Sequence, residues 1–333
     1  MKKKVASIAI VVVIALAIFG SWYFTSSPAT YAGKPESITI GNLPLIYSSL
    51  IYISEDQGFF TGNGLNVTIR DYNTSGTSIE DMENDVVDIS LSPESAIVIE
   101  AFKNEEISVI GSIDKYETIY LIGRKDHGIE NVSDLKGKKL GVPWKTMDFY
   151  LGRFLDLHGI GQQGVAIVNV LPSQAVDAIN NGSVDAIILP RDYIDPVKEG
   201  LGNNFIMWQA QSGQLGYSVM ACRDNWTASN PESINRFLKS LDQAEGYLIN
   251  HPDAAKAIVQ KKLNYSDAYM AATLPDHQFA LSLDQSLVLA MEDEGRWMIN
   301  NNLTNAKKLP DFRKYIYPEG LMQVKPDAVN VIG

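Results

Sequence analysis

Cysteine is nearly absent from this chain: Cys222 is the only one in 333 residues. That excludes an intrachain disulfide and any multi-cysteine zinc site. Its setting, Ser218-Val219-Met220-Ala221-Cys222, is that of a small buried side chain. Histidine is scarce as well. His127, His158, His251 and His277 fall at apparent loop or helix ends, with no metal-ligand spacing and no visible nucleophile beside them. Basic residues fall short of acidic ones, 28 against 39, for a net charge of −11. Setting aside Lys2, Lys3 and Lys4 takes the remainder to −14. So acidic a body is a poor partner for nucleic acid or an anionic membrane surface.

Long apolar runs are lacking except at the N-terminus. There, three lysines precede Val5 to Phe19, which is apolar apart from Ser7, and small or polar residues follow. Residues 1–24 read either as an export signal, with Thr30-Tyr31-Ala32 as its cleavage site, or as an uncleaved membrane anchor, since a span needs roughly 20 residues. No cysteine follows to carry a lipid. Either reading puts the body outside the cytoplasmic membrane, periplasmic or at the cell surface. Acceptor sequons at Asn66, Asn73, Asn131, Asn181, Asn225, Asn264 and Asn302 permit glycosylation there.

Residues 25–37, rich in Ser, Pro and Gly, form a linker. Beyond it, short apolar strands alternate with amphipathic helices. Ile38–Ile40, Leu65–Arg70 and Val86–Leu91 read as strands, with a helix carrying Ile46, Leu50 and Ile53 between the first two. Helical crossovers imply a mostly parallel sheet. Tyr116–Gly123 predicts one alternating strand leading away. The same grammar then recurs, with strands at Leu140–Val142, Val165–Val170 and Val184–Leu189 and helices at Met147–His158 and Ser173–Ile179. In both units a helix and a small turn lead into Val-Asp at a strand start (Val87-Asp88, Val184-Asp185). Gly216–Arg223 returns the chain to the first unit, and Pro231–Asn250, Pro252–Lys262 and Leu283–Asn301 predict helices. The reading is α/β with two lobes: 38–120 with 216–320, including the C-terminal helices, and 121–215. Crossings near Tyr120 and Gln211 would form a hinge.

Ligands of such sheets sit beyond the carboxyl ends of the strands, where loops meet helix starts. Candidates from the first lobe are Asn42, Tyr47 and Ser48, Gly76 and Thr77 at a helix start suited to an anion, and Ser92, Glu94 and Ser95. From the second come Trp144, Lys145 and Thr146, and Arg191, whose guanidinium could clamp a carboxylate or sulfonate. Tyr116 and Tyr217 could stack a flat ligand. Each also has an ordinary role, as turn-former, N-cap, core aromatic, first-turn acid or inter-lobe ion pair.

Four stretches in order resemble a known family. They are Glu55-Asp56-Gln57-Gly58-Phe59-Phe60 with Asn63-Gly64-Leu65-Asn66-Val67, Ser75-Gly76-Thr77-Ser78 with Val87-Asp88-Ile89, Asp134 to Pro143, and Val184-Asp185-Ala186. Residues 36–300 resemble the solute-binding proteins of ABC importers, in the nitrate/sulfonate/taurine and thiamine-precursor-like branch. The resemblance implies a type II periplasmic-binding-protein-like fold and closure of the lobes over a small-molecule solute. It further implies an ABC permease as partner; no cofactor is expected, and the single cysteine, the scattered histidines and the export signal argue against an enzyme. The chain departs from the family pattern at Trp144-Lys145-Thr146 and at Leu189-Pro190-Arg191-Asp192-Tyr193, so the solute, an organic anion or a nitrogen heterocycle, stays open. Relatives of this fold that make pyrimidines carry a cysteine-rich motif that is missing here. A tethered ligand-sensing domain, and behind it an enzyme on the same fold, are the alternatives.

Overall fold

The structure, a computed structural model, describes residues 31–144 and 147–332. The N-terminal segment read as signal or anchor lies outside them. So do Lys145 and Thr146. Among the described residues no helix is long and apolar enough to cross a membrane. All seven sequon asparagines are exposed.

Along the chain run β1 (Glu36–Asn42), α1 (Ser49–Asp56), β2 (Leu65–Asp71), α2 (Ser75–Glu83), β3 (Ile89–Pro93), α3 (Glu94–Lys103) and β4 (Ile107–Tyr116). Next come β5 (Ile119–Arg124), β6 (Lys139–Val142), α4 (Asp148–Leu157), β7 (Ala166–Asn169), α5 (Ala175–Asn180), β8 (Ala186–Pro190), α6 (Ile194–Leu201) and β9 (Phe205–Gln209). The chain then returns through β10 (Gly216–Arg223), α7 (Pro231–Asn250), α8 (Pro252–Leu263), α9 (Asp267–Thr273), β11 (His277–Ser282) and α10 (Gln285–Asn300).

Two sheets result, ordered β11-β4-β10-β3-β1-β2 and β7-β6-β8-β5-β9. The crossover strands pair in parallel: β1 with β2 and β3, and β6 with β7 and β8. The strands at the crossings pair antiparallel, β10 and β11 in the first sheet and β5 in the second. Burial follows position. Central β3 is buried over Ile89–Ser92, whereas edge strand β2 alternates buried and open. One core fills the first lobe, and two smaller ones cover the faces of the second sheet.

The repeated Val-Asp has the same task in both lobes. Asp88 accepts from the Thr39 amide at 2.7 Å and Asp185 from the Lys139 amide at 2.8 Å. In each case the aspartate's own amide returns a bond to that residue's carbonyl at 2.8 Å. Each aspartate thus locks a helix-to-strand turn onto a neighbouring parallel strand, β1 in the first lobe and β6 in the second.

The alternation over Tyr116–Gly123 predicts one strand, and the structure divides it. β4 ends at Tyr116, Glu117 and Thr118 cross between the lobes, and β5 starts at Ile119. Gln211, fully buried in the return crossing, joins the two passages. Its Oε1 accepts from the Ile119 amide at 3.0 Å, and its Nε2 donates to the Tyr116 and Gln214 carbonyls at 2.9 and 2.8 Å. β9, β11 and α9 carry no clear period of their own. They are short elements whose pairing is supplied by β5, β4 and the core.

Candidate ligand site between the lobes

Four phenol–carboxylate bonds, to three carboxylates, join the lobes. Tyr150 on α4 donates to Glu94 Oε1 at 3.2 Å. Tyr120 on β5 donates to Asp276 Oδ2 at 2.8 Å. Tyr265 and Tyr269, flanking the start of α9, both donate to Asp192 Oδ1, the former at 3.0 Å. Packing adds to them: Phe149 meets Trp297 edge-on at 5.8 Å. Gly152 is required here, because a Cβ on it would lie 2.5 Å from the Trp297 ring.

Glu94 opens α3 directly after Pro93, so its side chain turns under the helix and is 1% exposed. Its Oε2 accepts from the Tyr217 amide at 2.8 Å. Glu294, buried on α10, lies against it. Burial pushes Glu94 up to about 7, opposed by the bonds from Tyr217 and Tyr150. Burial and the neighbouring Glu94 charge hold Glu294 well above the carboxylate range, because two adjacent buried carboxyls do not both ionise. The first-turn acid facing solvent is thereby ruled out as Glu94's setting. Tyr116, Tyr47 and Tyr150 are raised as well, chiefly by burial. Tyr47 stacks on Tyr116 at 6.3 Å, and the Asp192 charge is the second cause of its shift, which puts Asp192 of the second lobe near Tyr47 of the first.

Arg191 follows β8 on the second lobe's side of the seam. Its amide donates to the Thr118 carbonyl, and its side chain is only 14% exposed. The nearest carboxylate, Asp195, stands 4.0 Å away, and the buried Nε has no partner among the described residues. Trp144 and Tyr193, the latter two residues after Arg191, pack against each other at 5.1 Å and on the same core cluster. The guanidinium thus offers an unused donor at the seam.

Other candidates are committed locally. Asn42, fully buried, donates to Tyr52 Oη at 2.9 Å and Asp71 Oδ1 at 2.7 Å, leaving its own Oδ1 without a partner among the described residues. Ser48 donates to the Leu43 carbonyl at 2.8 Å. Ser92 ends a buried hydroxyl chain, Ser78–Ser90–Ser92, with spacings of 2.7 and 2.9 Å. Ser95 is buried on α3. Gly76 and Thr77 are exposed within the first turn of α2, and the cap is Thr74, whose Oγ1 accepts from the Thr77 amide. Tyr217 is buried on β10, with its amide on Glu94.

Sequence reasoning missed Asp192, Tyr150 and Glu294. Asp192 stands beside Arg191, and that adjacency was its only signal. The histidines also have more partners than spacing shows. His127 pairs with Asp185 at 2.7 Å, and His277 Nδ1 with Asp114 Oδ2 at 2.5 Å. Ser49 and His277 line one pocket, but the serine hydroxyl bonds the Ile46 carbonyl and His277 Nε2 has no partner among the described residues. No Ser-His-Asp relay is assembled there.

Comparison with known proteins agrees with this architecture. A Brucella abortus protein that carries the name of binding protein without a stated ligand is 24% identical over 226 residues, spanning 66% of this chain and 69% of its own. The periplasmic aliphatic sulphonate binding protein of Escherichia coli superposes with a TM-score of 0.72 at 14% identity, covering 85% of this chain and 92% of that one. The desulfurization enzyme DszB also superposes, with a TM-score of 0.63 at 15% identity over 88% and 99% of the two chains. These likenesses establish a periplasmic-binding-protein-like fold shared by binding proteins and at least one enzyme. Residues 46–255, well over half of the chain, match the NMT1/THI5 like family, and the chain belongs to that family.

Proposed function

We propose that this is an extracytoplasmic solute-binding protein whose two lobes, each built on one of the two sheets, close over a small organic anion and present it to an ABC-type importer. The observation that carries the reading is the pairing state at the seam. Both Glu94 oxygens are engaged by the protein, so that carboxyl has little to offer a cationic ligand. Arg191 keeps a buried donor without a partner among the described residues, and such a group calls for an acceptor. A carboxylate or sulfonate fits it, with Trp144, Tyr193, Tyr47 and Tyr116 flanking an apolar part. A ligand touching both lobes shifts the population toward closure.

The likeness to the sulphonate-binding E. coli structure supports this reading from outside. The N-terminal segment supports export. Cys222 is buried with its thiol pushed up, which makes it a poor nucleophile and weighs against a cysteine-based enzyme.

A thermal-shift panel of alkanesulfonates, taurine, nitrate, carboxylates and aminopyrimidines tests it, because a tight ligand raises stability by mass action. The expected result is a saturable shift with an organic anion that is lost in Arg191→Ala. A shift only with aminopyrimidines that survives Arg191→Ala would sink the anion assignment.

A further inference from the structure

A concavity outside the seam lies wholly within the first lobe. Its volume is about 280 Å³, near the lower end of ligand pockets at about 300 Å³. Its walls are apolar, with Val259 from α8, Met270 from α9, Leu274 from the turn after it and Phe279 from β11. Two of the lining side chains carry unused polarity. Lys256 on α8 is half-buried and has no ion-pair or hydrogen-bond partner among the described residues. His277 is 9% exposed, is held by Asp114 through Nδ1, and has an Nε2 without a partner among the described residues. An apolar chamber with one unpaired ammonium suits a ligand with a hydrocarbon body and a single negative charge.

The concavity also shares its wall with the seam. Met270 and Leu274 face it, while their neighbours Tyr269 and Asp276 bond Asp192 and Tyr120 of the second lobe. Whatever steadies the segment Asp267–Asp276 therefore steadies the contacts that hold the lobes together.

We propose that this concavity is a second ligand site, for a small apolar monocarboxylate whose charge pairs with Lys256 and whose body packs on Val259, Met270 and Leu274, and that its occupation favours closed lobes. Coupling of this kind is reciprocal: closure strengthens binding in the concavity, and binding there strengthens closure. The site stands whether or not the seam takes an anion.

The test is a ¹⁹F NMR titration of the full-length chain with 4-fluorobenzoate, run beside neutral 4-fluorobenzamide. Saturable 4-fluorobenzoate binding is expected, about tenfold weaker in Lys256→Met, with 4-fluorobenzamide unaffected by that change. Val259→Phe, which fills the chamber, removes binding of both probes, and Arg191→Ala alters neither. Tyr269→Phe weakens 4-fluorobenzoate several-fold by releasing the wall. No saturable binding, indifference to Lys256→Met, or loss in Arg191→Ala would each overturn the site. An unchanged affinity in Tyr269→Phe would overturn the coupling. Lys256 is half-buried and unpaired, so its replacement leaves the fold intact even where Val259→Phe does not.

Discussion

The Tyr150 hydroxyl of the second lobe donates to Glu94 of the first at 3.2 Å, beside a second buried carboxyl, Glu294. A phenol on one lobe and a carboxyl pair on the other make closure sensitive to the proton count at this point.

Stability should therefore fall with rising pH. Glu94 titrates at about 7 when folded against about 4.3 when unfolded. A carboxyl raised in this way contributes stability in full below its unfolded value, and loses it as pH rises through 7. Urea unfolding at pH 5 and pH 8 should show Glu94→Gln spared about 3 kcal/mol of the wild-type loss. Equal losses in the two proteins would refute the assignment.

Gly152→Ala should separate affinity from fold. The added methyl meets Trp297 across the seam, so the closed arrangement carries the clash and an open one escapes it. Overpacking costs about 1–3 kcal/mol. Seam-ligand affinity should drop roughly tenfold or more, while the melting temperature of the ligand-free protein moves little. A large loss of ligand-free stability with unchanged affinity would contradict this.

Asp192→Asn keeps the size of the side chain and removes its charge. Bonds to a charged acceptor contribute about 1.5–3 kcal/mol, and Asp192 accepts two. Titration calorimetry should show about tenfold weaker seam-ligand binding, and small-angle scattering a larger radius under ligand excess. A wild-type radius and affinity would remove Asp192 from the closing contacts.

Gln211→Ala should loosen the hinge. Three backbone groups lose their partner at a fully buried position. A loss of roughly 3 kcal/mol is expected, with faster amide exchange at Ile119. Wild-type protection of that amide would show that the crossings are held by other means.

Cys222 should be inert. It is fully buried, and burial pushes its thiol well up. Ellman's reagent should find no thiol in the native protein and one after guanidinium. Rapid native reaction would mean that β10 opens.

Much of the lobe architecture was legible because it rests on local physics. Apolar periods wrote β1, β2 and α7, Pro231 and Pro252 marked helix starts, and the paired Val-Asp turns announced two like units. β9, β11 and α9 were not legible, because their strand or helix character comes from neighbours distant in sequence. Among candidate site residues, the positions after strand ends were legible, but not which side chains stay free. Ser48 and Ser92 look as available as Arg191 in the chain, and only packing shows the first two committed and Arg191 short of a partner.

By itself, then, the sequence determined the acidic body, the N-terminal apolar segment, the strand–helix alternation and the repeated turns, all of which depend on composition or on residues near each other. Tertiary structure alone decided that Glu94 meets Glu294 and Tyr150, that Asp192 receives Tyr265 and Tyr269, and that Gln211 joins the crossings. Those contacts join residues tens to about two hundred positions apart, and a hydrogen bond depends on distance and direction in space, which no local period encodes.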